Sequence, residues 1–583
     1  MTTLDRFFES YYRLRPVNAT FTGVHDHDHR LPDWSPEGLE ASRDEMRQLR
    51  AQLETPAAAA ARSEPLWRGG VEARSASGAS EGWAGDLATL RDVASRDRAL
   101  ALAFLDIQLA EDDSAHFARG NPSLAAGEAI FGAISLMTRP FAAVGERADA
   151  LIARLSAVPA FLAGARRSMT AGLPREWREK TLRECDGADR LLDDGLSRWI
   201  ALEAIDAARA PALIDAARRA RDAFDEFRRW LTSEAGAAGP DRYASGPDLF
   251  DLLLTRGHWS VRSRSDLLAE ARVALDEALA RLHEQATKIA DQGWPEVQER
   301  LAAAHPPTAD YLSAYQRLWD ACRERADACH LVTWPASPPC AVVRYVPIPI
   351  HTRDAAPFLY YLFYRSPAPF DALPVHEYVV TPVEPEMPPE EQIRRLRANN
   401  TSVMKLNHVV HHGAIGHHVQ NCFADRGTSA IGRVAAVDCA SRIGMFSGGT
   451  MAEGWACYAT DLMEEAGFLT PEESVAQQHT RARLLARAVV DIGLHERSLT
   501  FDEAAALYRD RIGMSPEAAR AEACKNSMFP GTAVMYWLGT DGLHQLRRAR
   551  ERAEGPSFSL RRFHDTVLGY GSIPVPLIAR LMA

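Results

Sequence analysis

Apolar residues recur at three-to-four spacing from about Leu87 to Trp230, as in Leu151, Ile152, Leu155, Val158, Phe161 and Leu162, and that period predicts amphipathic helices. The same stretch is rich in Ala, Leu, Arg and Glu, all good helix formers. Residues 55–85 hold few large apolar side chains and contain PAAAAAR and RSASGASEGWAG, which predicts a flexible connection between a first helical pair and the main array. From about Trp334 to Val383 prolines cluster around β-branched and aromatic runs, AVVRYVPIPIH, FLYYLFY and HEYVVTPV, and short strands are expected there. Helical periodicity returns from Val403 to Ala583. The pattern therefore predicts a mainly α, large multi-helix fold with a small β segment around residues 334–383. It divides into an N-terminal helical lobe, 1–240, and a C-terminal lobe, 241–583, that carries the short strands and the helices with candidate chemistry.

Composition narrows the classes of function. The 583 residues carry 67 Lys and Arg against 78 Asp and Glu, a net charge of −11, with 46% hydrophobic and 25% charged residues. That balance is globular and excludes a supercharged nucleic-acid binder, so no nucleic-acid partner is expected. The segment MTTLDRFFESYYRLRP is charged and aromatic throughout, and nowhere do 18 consecutive uncharged apolar residues occur. A cytoplasmic location and no membrane partner are expected from this. The eight cysteines lie scattered without a C-x-x-C pair, a pattern of reduced, buried thiols rather than a disulfide framework.

Candidate chemistry concentrates in HVVHHGAIGHHVQN, where His408, His411, His412, His417 and His418 fall within eleven residues among Val403, Leu406, Val409, Val410 and Val419. Buried imidazoles need partners, and one divalent metal ion would satisfy several at once. His408 and His412, four apart, share a helix face and suit two ligands of one zinc ion. His411 and His417 are six apart, about 120° out of phase on an unbroken helix. They converge only if the helix breaks near Gly413 or Gly416. Downstream, TMAEGWACYATDLMEEAGF places Glu453 in the first turn of a helix, where it would complete a His-His-Glu site. Asp491 and His495 lie four apart on one helix and are candidates to share a face toward such a site, and Tyr536 is a candidate hydrogen-bond donor to developing negative charge.

Several linked motifs stand in order: Pro16 to Gly23 followed by Arg30, Leu31 and Asp33, then HHGAIGHH (His411 to His418), EGWACYAT (Glu453 to Thr460), DIGLH (Asp491 to His495), PGTAVMYWLG (Pro530 to Gly539) and GSIP (Gly571 to Pro574). Over nearly its whole length the chain thereby resembles the domain of unknown function 885 family, generally regarded as zinc-metallopeptidase-like and mainly α-helical. The resemblance implies a metallopeptidase-like fold and one Zn2+ ion. It implies His411, His417 (or His418) and Glu453 as metal ligands, with His408 a further alternative from spacing. It also places Asp491 and His495 near the active centre.

Four positions depart from the family pattern. His412 stands where the family's H-E-x-x-P-G-H-H has its general-base glutamate, Ile415 replaces the proline, and Thr460 replaces the second acid of E-G-W-A-x-Y-A-E; beyond these, Thr532 replaces a glutamine after P-G. Three accounts of His412 stay open: it is the base itself, it joins His408 as a ligand pair, or hydrolysis has been lost. The leading expectation is a zinc-dependent hydrolase-like protein acting on a small peptide or amide with His412 in place of the glutamate. The alternatives are a catalytically silent metal- or ligand-binding scaffold and a non-hydrolytic metal-dependent enzyme such as a lyase. Arg344, Tyr345, Tyr360 and Tyr361 are candidate cleft walls. HDHDHR, from His25, has alternating rather than helical spacing and is not expected to bind metal. His376-Glu377 lacks a second histidine at zincin spacing and reads as strand.

Overall fold

Helix starts along the chain follow side-chain capping. Thr2 with Asp5, Thr470 with Glu473 and Thr500 with Glu503 each form a reciprocal capping box, opening the helices Thr3–Leu14, Pro471–His495 and Phe501–Ile512. The computed structural model describes residues 2–54, 87–237, 239–336, 342–353, 364–365, 368–371, 376–437 and 441–583. The mainly helical fold expected from periodicity is what it holds, with one small sheet among the described residues. The connection expected at 55–85, Tyr360, Tyr361, Cys340 and Cys439 lie outside those residues.

One unit comprises Met1–Ser245, Pro349–Tyr361 and Pro367–Leu373. Its helix Val144–Ser168 buries Leu151, Leu155, Val158, Phe161 and Leu162, the residues whose spacing predicts it, and packs against Ala210–Ser233 and Pro122–Thr138. This helix is long and apolar enough to cross a membrane, yet half of that stretch is buried inside the unit. It also carries Arg154, a fully buried cation. Arg154 donates to the carbonyls of Arg30 and Gly132 at 3.0 and 2.9 Å, and to the Ser135 and Thr20 hydroxyls at 3.1 Å each. Thr20 in turn donates to Asp28 at 2.6 Å. The opening motif therefore encloses a satisfied charge, and burial lowers the guanidinium to about 10. Gly23 ends this motif at φ +88°, where an added Cβ would lie 2.6 Å from the Asp371 nitrogen. His25 puts its two ring nitrogens 2.9 Å from Asp28 and 2.9 Å from Asp371. Burial lowers its pKa, the two carboxylates outweigh that, and the ring is raised to about 9. HDHDHR thus holds an ion-paired imidazolium.

The other unit comprises Gly246–Ile348, Leu362–Ser366 and Pro374–Ala583. Its most extensive packing joins Gly449–Glu465 to Val534–Glu554 and Arg264–Thr287 to Pro471–His495. The sheet has β1 (Arg344–Pro347), β2 (Tyr364–Arg365) and β3 (Glu377–Val380) in the order β1-β3-β2, with β1 parallel and β2 antiparallel to β3. Register aligns Tyr345, Tyr378 and Tyr364 in one cross-strand row and Arg344, Glu377 and Arg365 in the next. Alternation sends the rows to opposite faces: the tyrosines are buried, and Glu377 pairs with both arginines. The buried tyrosine row is the floor on which the histidine segments rest.

Candidate metal centre

Residues Met404–Gly413 form a π-helix, whose i→i+5 register is a frequent device at functional sites. In that register the spacing rule for His408 and His412 fails. His408 turns to the tyrosine floor, with Nδ1 2.9 Å from the Tyr315 hydroxyl and its ring stacked 5.1 Å from Tyr378, and burial lowers it to about 4. It is a core histidine, not the alternative ligand that four-residue spacing offers. His412 instead hydrogen-bonds through Nδ1 to the carbonyl of Asn407, five residues back, at 2.8 Å. A carbonyl can only accept, so Nδ1 carries the proton and Nε2 keeps its lone pair.

The helix then breaks, as the two glycines predict. A Cβ on Gly413 would lie 2.1 Å from the Tyr345 hydroxyl, and one on Gly416 would lie 1.9 Å from the His411 carbonyl, so neither position admits a side chain. Two buried indoles hold the break: Trp319 donates to the Gly413 carbonyl at 2.6 Å and Trp455 to the Ile415 carbonyl at 2.9 Å. The next helix, His417–Ala424, starts at once. Its first residue returns toward the π segment, so the ring centroids of His411 and His417 come to 4.9 Å, nearly perpendicular. Ligand nitrogens of His411, His412 and His417 all lie within 4.8 Å of one another.

Glu453 completes the group. Its Oε2 is 3.6 Å from Nε2 of His411 and 3.6 Å from Nε2 of His417. Burial alone would raise its carboxyl, but the two imidazoles beside it outweigh that and hold it well below the usual carboxylate range. Burial lowers His411, and burial with the neighbouring rings holds His412 well below 6.5. Burial thus favours the neutral form of His411 and His412 beside this carboxylate. Side chains of His411, His417 and Glu453 keep 15, 11 and 21% of their surface, so solvent reaches the group.

Helix packing explains the glycine after Glu453. Gly454 meets Gly539 of Val534–Glu554 so closely that a Cβ would stand 2.5 Å from its Cα, and a Cβ on Gly539 would lie 2.0 Å from the Thr450 carbonyl. Contact at that distance puts Tyr536, one turn before Gly539, within hydrogen-bonding reach of Glu453, and burial first and then that carboxylate hold the phenol well above 10. Arg487 lies over the Tyr536 ring at 5.4 Å and pairs with Glu522. Arg487 was not singled out from sequence; its signal is a basic residue four before Asp491 on the buried side of one helix.

The expected roles of Asp491 and His495 as groups facing the centre need correction. Both are fully buried. Asp491 accepts backbone N–H bonds from Gly531, Ala533 and Val534 at 3.0, 2.9 and 2.9 Å, while burial pushes its carboxyl up to about 7. His495 bonds the Asn526 carbonyl at 3.0 Å, and burial lowers it to about 4. Asp491 clamps the loop that starts the Tyr536 helix, and His495 ties its own helix to Pro516–Met528, the helix before that loop. His418 faces away from His417's partners, with Nδ1 2.8 Å from the Tyr364 hydroxyl. Tyr345 lies under the π segment and Arg344 pairs with Glu377, so neither is a wall of the centre. Thr460 bonds back to the Ala456 carbonyl at 3.2 Å and Thr532 to the Phe529 carbonyl at 2.7 Å, each closing its own turn.

The sequence profile of a family of bacterial proteins of unknown function, DUF885, matches residues 16–582. Two solved structures share the fold. One, a candidate lipoprotein of unknown function from Shewanella oneidensis, aligns with a TM-score of 0.74 at 20% identity over 100% of this chain and 98% of that one. The other, a candidate lipoprotein from Colwellia psychrerythraea, aligns at 0.71 and 18% identity over 99% and 96%. No curated protein matches the sequence.

Proposed function

This chain belongs to the DUF885 family, and from that premise we propose that it binds one zinc ion between His411, His417 and Glu453 and hydrolyses a small peptide or amide there. One observation carries the reading: the carboxylate oxygen is equidistant from two Nε2 atoms at 3.6 Å, longer than a hydrogen bond. Ligands at 2.0–2.1 Å around a tetrahedral ion are roughly 3.4 Å apart, so the donors already sit near ligand spacing. Outer partners fit as well, with Tyr536 on Glu453 and a backbone hydrogen bond from His411 at Ala456.

Zinc bound there would polarise a substrate carbonyl and acidify a water in the open position. With Nδ1 fixed on Asn407, His412 would offer its Nε2 lone pair as the base for a water activated there. Tyr536 directs its one hydroxyl proton to Glu453 and so would hold that carboxylate in place.

The proximity of His412 to the other two nitrogens favours a second reading, a closed His3Glu site that leaves no place for water and makes the protein a binding scaffold. His412→Ala separates the two. Retained zinc with turnover reduced by about 10²–10⁴ supports the base; loss of the ion supports the scaffold. Turnover of a peptide and amide panel without incorporation of labelled solvent oxygen would favour a lyase.

A further inference from the structure

His417 and His418 are sequence neighbours at the start of one helix, yet they serve different places. His417 joins the centre described above. His418 meets His376 with ring centroids 4.9 Å apart and nearly perpendicular, and Cys422 lies four residues further along the same helix. One ligand atom from each of His376, His418 and Cys422 lies within 4.8 Å of the other two, and all three residues are buried. We infer that these residues form a second metal site, for a thiophilic divalent ion that the two imidazoles and one thiolate match best as Zn2+.

Three features carry the assignment. Two ligands at i and i+4 on one helix face one ion, while the third comes from another element, the residue that leads into β3. That residue is fixed by its backbone, since the His376 carbonyl accepts from Arg344 at 2.9 Å. Tyr364 on β2 sits 2.8 Å from Nδ1 of His418, the outer partner that orients a ligating imidazole and leaves Nε2 for the ion. Two nitrogens and one sulfur are three of the four donors a tetrahedral zinc takes, and an ion here would tie the sheet to the helix that presents His417. The inference stands independently of the hydrolase reading.

The full chain expressed in cobalt-supplemented minimal medium tests it, because a cobalt–thiolate bond gives a near-ultraviolet charge-transfer band that histidine and carboxylate ligands do not. Wild type is expected to hold two equivalents and show the band. Cys422→Ser should lose the band and one equivalent, Cys457→Ser should keep both, and Glu453→Gln should keep the band while losing the other equivalent. One equivalent with a band that Cys422→Ser abolishes would uphold this site and remove the His411 site. Bound cobalt without the band in wild type, or a band unchanged in Cys422→Ser, would overturn the inference. The wild-type spectrum decides even if a variant misfolds.

Discussion

Two polar groups in this molecule, the buried Arg154 hub and the partly exposed His411 cluster, are held in different ways. Arg154 is a full charge in a dry place, but fixed carbonyls and hydroxyls receive its donors, and nothing more is needed to hold it. In the His411 cluster the Nε2 atoms of His411 and His417 each stand 3.6 Å from one Glu453 oxygen, with solvent access. That these donors stand near ligand spacing is the ground on which we propose an ion there. The first group is closed by protein partners; the second, on the proposed reading, takes an ion.

The largest expected effect breaks that contrast at its centre. His417→Ala should remove the one equivalent of zinc proposed for the His411 centre through chelator dialysis, read by elemental analysis against wild type, while leaving the helical circular dichroism of the chain in place. Next in size, Arg154→Ala should lower the stability of its unit by about 3–5 kcal/mol in urea unfolding, because it empties a buried site and removes the donors to the Arg30 and Gly132 carbonyls and the Thr20 and Ser135 hydroxyls. Zinc content should not change, and a parallel loss of zinc would erase the distinction between the two networks.

Much of the second group was legible in the sequence, and the reasons for the misses are physical. His411, His417 and Glu453 declared themselves by residue type, and Gly413 and Gly416 announced the break that unites the two histidines. The π-register of Met404–Gly413 was not legible, since no side chain specifies it, and it is what undid the pairing of His408 with His412. Asp491 and His495 had ligand-like spacing, yet Asp491 spends both oxygens on backbone N–H groups. Spacing reports a shared face, not what that face meets. Helical periodicity and the tyrosine-rich strands, by contrast, depend on burial patterns that single residues encode, and those elements formed where expected.

Tyr536→Phe sharpens the comparison further. Removing the hydroxyl on Glu453 should weaken zinc binding by roughly 10–100-fold in competition with a chromophoric chelator, as loss of an outer partner does. The smallest effect tests the first unit alone. His25 is raised to about 9 against an unfolded value near 6.5, so its pairing with Asp28 and Asp371 stabilises fully below pH 6.5 and is lost as pH rises through 9. The ring is partly exposed, so the loss should stay under about 1 kcal/mol. Thermal melts between pH 6 and 10 should show it in wild type and not in His25→Gln.

Diffraction at the zinc absorption edge from crystals of the wild-type protein tests the central claim most directly. An anomalous peak about 2.0–2.1 Å from His411, His417 and Glu453 is the predicted result. Zinc-replete crystals with no peak among those three side chains would contradict it.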